Sequence, residues 1–229
     1  MRILAIALVS IAIVACAPEP QDNQSLIAID VLLEPDQTML RKSSEWNARL
    51  RELTPEGFEL DESHQPHITL IQRHVRRDDL DEVLVAVESI ARNFDIESLA
   101  LTAVGLYHIP VGDLGLAGIT IEPTEELLTL QRAVVDAVNP YDAGAADEDA
   151  YVADPSGTPF DPFLFEYVEL FVPDQTGANF NPHVTVGLAP TTWLAEQESQ
   201  PFSEFQFGAD GLAVYQLGNF GTAARRLER

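Results

Sequence analysis

Residues 66–70 read PHITL and residues 182–186 read PHVTV, and between them these segments use two of the chain's five histidines. Each is a β-branched run after a proline, the composition of a strand. What surrounds them repeats as well. The apolar run LIAIDVLLEP (residues 26–35) is followed by Met39, Trp46, Leu50 and Leu53 at helical spacing, and then by the first Pro-His strand. Next comes the clearest helical face in the sequence, Leu80, Val83, Leu84, Val87, Ile90 and Ala91, with Asp78 and Asp79 expected as its caps. A strand over residues 99–109 closes this first unit. The order then restarts with GLAGITIEP (residues 115–123) and a helix carrying Leu127, Leu130, Val134 and Val138 behind a Thr124 cap. After it come the second Pro-His strand, a short helix at TTWLAEQES, and one or two closing strands over residues 202–227.

Even the Glu-Pro pairs recur, at Glu34–Pro35 and Glu122–Pro123. Glu34 precedes His67 by 33 residues and Glu122 precedes His183 by 61, so the second half carries about 28 extra residues. They fall in an acidic insertion at about 140–181, expected to be a solvated loop with an added strand at FLFEYVELFVP. Its acidic run Asp147, Glu148 and Asp149 lacks the spacing of a calcium loop. A chain of 229 residues built this way implies one α+β domain over residues 26–229. It should be bilobal, from duplicated strand-helix-strand lobes with antiparallel-type sheets around a pseudo-two-fold central cleft.

The first 25 residues stand apart. Residues 3–15 are an apolar run of roughly 20 Å as a helix, too short for a bilayer core of about 30 Å. They read as a signal peptide over residues 1–15. IVAC at residues 13–16 resembles a bacterial lipobox, which makes Cys16 the expected lipidation site and residues 16–25 a lipidated tether. Cys16 is the chain's single cysteine, so no internal disulfide is possible. The expected location is the bacterial cell envelope, anchored by lipid to the outer membrane on its periplasmic side, with the membrane touched only through that anchor.

In a strand, alternate side chains share a face, so His67 lies with Thr69 and His183 with Thr185. If the two lobes face each other, two imidazoles and two hydroxyls converge on one cleft. A neutral imidazole there takes a proton from water, and an imidazolium gives one to a leaving oxygen. Threonine hydroxyls can donate to phosphoryl oxygens as charge develops on them. Chance predicts roughly 0.3 His-x-Thr occurrences in a chain of this composition, so two at matching places in a repeat are significant.

These motifs, HITL at residues 67–70 and HVTV at residues 183–186, resemble the paired His-x-Thr/Ser-x signature of the two-histidine phosphoesterase superfamily. That group includes the 2′-5′ RNA ligase-like proteins and the cyclic nucleotide phosphodiesterases. The resemblance implies hydrolysis of 2′,3′-cyclic or 2′-linked phosphodiesters with no metal and no cofactor. By it His183 would be the base, His67 the acid, and Thr69 and Thr185 the phosphate ligands. By strand parity Arg73 shares the His67 face and is a candidate phosphate ligand. Tyr107, Phe180 and Tyr215 are candidates to bind the rest of the substrate, with Asn179 beside them at the mouth. A metal site of His64, His67 and His74 is disfavoured, since His67 and His74 have opposite parity and no acidic pattern supports them.

The net charge of −24 disfavours long nucleic acid and leaves a small phosphodiester or nucleotide as the expected partner. The rival readings are a non-catalytic, membrane-tethered module that binds a phosphorylated ligand, and 2′-5′ RNA end-joining.

Overall fold

The first apolar run forms β1 (Leu26–Pro35), and its closing Pro35 hands the chain to Asp36. Asp36 caps helix α1 (Gln37–Leu53): its Oδ1 accepts from the Thr38 and Met39 amides, and its Oδ2 accepts from the Gly208 amide. One carboxylate thus satisfies two orphan donors of the helix and fixes a distant loop to its start. The second half repeats the device with Thr124, whose hydroxyl accepts from the Leu127 amide at the start of α3 (Glu125–Val138). Asp78 and Asp79 do not cap α2 (Leu80–Asn93) through their side chains. They lie in a 3₁₀ turn before it, where their charge favours the positive end of the helix dipole. The computed structural model that supplies these contacts describes residues 26–153 and 157–229; the expected signal peptide, Cys16 and the tether lie outside the described residues.

The remaining elements are β2 (Ile68–Arg76), β3 (Leu101–Val111), β4 (Leu114–Ile121), α4 (Phe163–Glu169) and α5 (Phe171–Gln175). They are followed by β5 (His183–Pro190), α6 (Thr191–Glu198), β6 (Phe205–Phe207), β7 (Ala209–Leu217) and β8 (Ala223–Leu227). The closing segment therefore makes three strands. The insertion differs more from its expected form, because FLFEYVELFVP is helical. Leu164, Val168 and Phe171 recur at helical spacing and are buried, which a strand would have split between two faces. No helix among the described residues is long and apolar enough to cross a membrane.

The strands form two antiparallel sheets of four, in the orders β2-β1-β7-β8 and β5-β4-β3-β6. The architecture is α+β and bilobal, but the halves exchange parts. β3, from the first unit, completes the sheet of the second, and β7 completes the sheet of the first. The helices cross over too: α1 packs on β5 and α6 on β3, whereas α2 packs on β7 and α3 on β2. The main apolar core runs through both lobes, from Ile29 and Val31 to Ile119, Val184 and Val186, with two smaller clusters beside it.

One irregularity decides which residues face the cleft. The β1–β2 register passes from Val31↔Ile71 to Leu32↔Thr69 and skips Leu70. The β4–β5 register passes from Ala117↔Gly187 to Gly118↔Thr185 and skips Val186. Each histidine strand thus carries a β-bulge just after its threonine, and side chains beyond the bulge reverse their parity. This register also aligns Asp30 with Leu116 and Leu32 with Gly118. The Glu-Pro echo is therefore a likeness of strand ends, two residues out of step with the structural repeat.

In β5 the bulge is built on Gly187, at φ 143°, a backbone conformation that L side chains rarely adopt. A Cβ there would sit 3.1 Å from both Asn47 Nδ2 and Leu50 Cδ1, and Asn47 uses that nitrogen to bond the Val186 carbonyl at 2.9 Å. Gly187→Ala is expected to lower unfolding stability by about 1–3 kcal/mol, read as an earlier urea midpoint at unchanged slope.

Candidate active site

Both histidines are set by the same local device. The His67 Nδ1–H donates to the Gln65 carbonyl at 2.6 Å, and the His183 Nδ1–H donates to the Asn181 carbonyl at 2.8 Å. A carbonyl can only accept, so each ring carries a hydrogen on Nδ1 and turns Nε2 to the cleft. With Thr69 and Thr185 the two rings line one cavity of about 150 Å³. β2, which His67 directly precedes, and β5, which His183 opens, are edge strands of their sheets and touch each other.

Beneath the first motif lies Asp30, fully buried in β1. Its Oδ2 accepts from the Thr69 hydroxyl at 2.7 Å and from the Gln72 amide at 3.0 Å, and stands 3.6 Å from His67 Nε2. The corresponding place in the second lobe is taken by Leu116. Two rings in equivalent positions therefore have unequal surroundings. Burial alone would lower the His67 pKa, but the neighbouring Asp30 carboxylate, with the Gln65 carbonyl, outweighs it and raises the pKa above its ordinary value. Among the described residues no carboxylate is bonded to His183. Burial pulls its pKa down to about 4 against the opposing Asn181 carbonyl bond, the charge of His67 pushes in the same direction, and the charge of Asp30 raises it only weakly.

The second motif is buttressed by Tyr107, whose ring meets His183 edge-on with centroids 4.7 Å apart. Gly118 makes that approach possible, since a Cβ at this position would sit 2.5 Å from Tyr107 Cε1. Burial, and secondarily the neighbouring Tyr167, raise the Tyr107 phenol pKa, so Tyr107 serves as a neutral wall. Phe180 and Asn181 lead into the motif and line the cavity. Asn179 instead bonds the Pro173 carbonyl.

Two expected ligands are elsewhere. Arg73 is turned away by the bulge at Leu70, which puts Gln72 on the cleft face in its stead. The Arg73 guanidinium is buried and donates to Asn139 Oδ1 and to the carbonyls of Val168 and Glu169. Tyr215 donates its hydroxyl to Glu34 and packs with Leu32, Ala213 and Ala223, outside the cavity lining. The bulge also corrects the parity of His74. It shares the His67 face, but its ring bonds the Gly144 carbonyl and the Tyr151 hydroxyl under the insertion.

Sequence reasoning missed Asp30, Gln72 and the wall formed by Phe163, Tyr167 and Phe171 of the insertion. A signal for Asp30 existed: it is the sole charge inside LIAIDVLL, where a fully apolar strand would have needed none.

The model of the 2′-5′ RNA ligase superfamily matches residues 42–219 of this chain. No curated protein matches it. Among solved structures, TT0787 of Thermus thermophilus is similar at 16% identity and TM-score 0.53, with 88% of this chain and 96% of that one covered. Kluyveromyces marxianus Usb1 is similar at 11% identity and TM-score 0.40, covering 90% and 97% of the two chains. The first of these likenesses concerns the fold alone.

The unequal surroundings can be read directly. In an NMR titration of the imidazoles, His67 should titrate above 6.5 and His183 near 4. Asp30→Asn should move the His67 midpoint down and leave His183 near 4 or slightly below, because the Asp30 charge now raises both.

Proposed function

The chain belongs to the 2′-5′ RNA ligase superfamily, and on that premise we propose that its cleft hydrolyses a small 2′,3′-cyclic or 2′-linked phosphodiester to a monoester. The observation that carries this reading is the presence of Asp30 under one histidine of the pair and Leu116 in the matching place under the other. Acid and base must hold different protonation states at the same pH, and this asymmetry provides the difference.

In the proposed reaction, His183 is neutral with Nδ1–H tied to Asn181, so its Nε2 lone pair accepts a proton from the attacking water. The oxygen of that water bonds to phosphorus as the bond to the leaving oxygen breaks. His67 carries a proton on Nε2 and delivers it to the leaving oxygen. The Thr185 hydroxyl has no partner among the described residues and is placed to donate to a non-bridging oxygen. Thr69 already donates to Asp30 and in this scheme holds that carboxylate beneath His67. No step is assigned to a metal or cofactor. The reaction is proposed to take place in the cell envelope, on a protein tethered through a lipid on Cys16.

The test is hydrolysis of 2′,3′-cyclic nucleotides by the full chain in EDTA. His67→Ala and His183→Ala should each lower kcat by about 10²–10⁴. The rate should climb as pH passes about 4, where His183 loses its proton, and decline as pH passes above 6.5, where His67 loses its own. A folded wild type inert on these substrates would overturn the reading, and activity abolished by EDTA would redirect it to metal chemistry.

A further inference from the structure

We propose that the cleft selects a phosphodiester with one negative charge and a bulky apolar or aromatic substituent, and turns away diesters that carry a second phosphate. This rests on the reading of the site as a phosphoesterase and names the class of its substrate.

The first observation is the charge of the lining. Among the described residues, neither lysine nor arginine lines the cavity. Arg73, the cation nearest in sequence to the first motif, is held by Asn139 and two carbonyls. The cation available to a bound phosphate is therefore the imidazolium of His67, and Asp30 lies directly under it. Away from the histidines the charges are negative. Asp161 lines the main cavity, and Glu166 and Asp174 line the recess that continues from His183 past Tyr107. A single phosphoryl charge can be matched at the histidine pair. A second phosphate on the same ligand would meet carboxylates with no cation to offset them.

The second observation is the rim. Among the described residues eight large hydrophobic side chains are exposed, and five of them, Ile109, Val111, Phe163, Leu170 and Phe220, line this cleft or its continuation. They come from the β3–β4 hairpin, the insertion and the turn before β8, so the clustering is not a property of one amphipathic element. Phe163 is 63% exposed, more than any other of the eight. Phe220 adopts φ 56°, a conformation rarely tolerated by a bulky side chain, and its amide is held by the Asn219 side-chain oxygen. The backbone is thus held in an unfavourable state while an aromatic ring stands at the mouth. Such a rim fits the non-phosphate part of a ligand and leaves the phosphate for Thr185 and the two histidines.

Three ligands with the same five-membered cyclic phosphate separate the two contributions: adenosine 2′,3′-cyclic phosphate, its 5′-phosphorylated form, and glycerol 1,2-cyclic phosphate. Binding is measured by calorimetry on the full chain carrying His183→Asn, and kcat/KM on the wild type. Adenosine 2′,3′-cyclic phosphate should bind at least about tenfold more tightly than either of the others. Phe220→Gly, which removes the ring and suits the backbone, should weaken the adenosine compound while leaving the glycerol compound unchanged. Asp161→Asn, which keeps an oxygen for the Phe163 amide, should narrow the gap to the 5′-phosphorylated compound. Equal affinities for the three, tighter binding of the 5′-phosphorylated form, or no binding of the adenosine compound would overturn the proposal. Selective binding without turnover by the wild type would instead overturn the hydrolytic reading, and turnover without selectivity would overturn only the selectivity.

Discussion

Beyond β1, on the side away from β2, the strand edge presents backbone donors and acceptors that must be paired, and the pairing comes from the far end of the chain. β7 fills that edge, while β3 leaves the first half to fill the same edge of β4. Neither half can complete a sheet from its own strands, and an uncovered edge would be a site for unwanted pairing. The exchange has a geometric result. With the inner edges of β1 and β4 taken, β2 and β5 remain outermost, each with one side free to border the cleft. The convergence of the two motifs therefore follows from where the third strands go, and the helices that cross with them bury one core common to both lobes.

Duplication by itself would give two identical imidazoles, which is unsuited to a reaction that needs an acid and a base. The symmetry is broken at the level of the strands beneath. A carboxylate under His67 and a leucine in the equivalent place under His183 give the two rings different protonation, while each keeps the same kind of carbonyl tether through Nδ1. The insertion breaks the symmetry a second time, since it walls the cleft with aromatic rings from one side only. Acid–base polarity and substrate shape are thus controlled by different parts of the chain.

The larger plan was legible because it is written in periodicities. β1 and α1 occupy the stretches that the apolar spacing implied, and α3 carries its anticipated face and its Thr124 cap. The repeated His-x-Thr strands were enough to place four side chains on one cavity. What escaped has physical reasons. A bulge adds one residue to a strand and has no sequence signature in ITLIQR, so parity failed beyond Leu70 and exchanged Arg73 for Gln72. The aromatic and β-branched content of FLFEYVELFV imitates a strand, and only its packing against β2 reveals the helical spacing. The partnership of Asp30 with His67 depends on a pairing between distant strands, which local pattern does not contain.

The side chains displaced by the bulge acquire another use. Arg73 grips the end of α3 and the last turn of α4, and His74 holds Gly144 and Tyr151, so two neighbours in the motif strand anchor the insertion at its start and at its first helix. A buried guanidinium without acceptors is costly, and so is a buried imidazole without partners. Arg73 and His74 are consequently satisfied only while the acidic segment is in place. Relatives that shed the segment should also have replaced both residues, and those that keep it should keep the pair, whatever else in the strand has drifted.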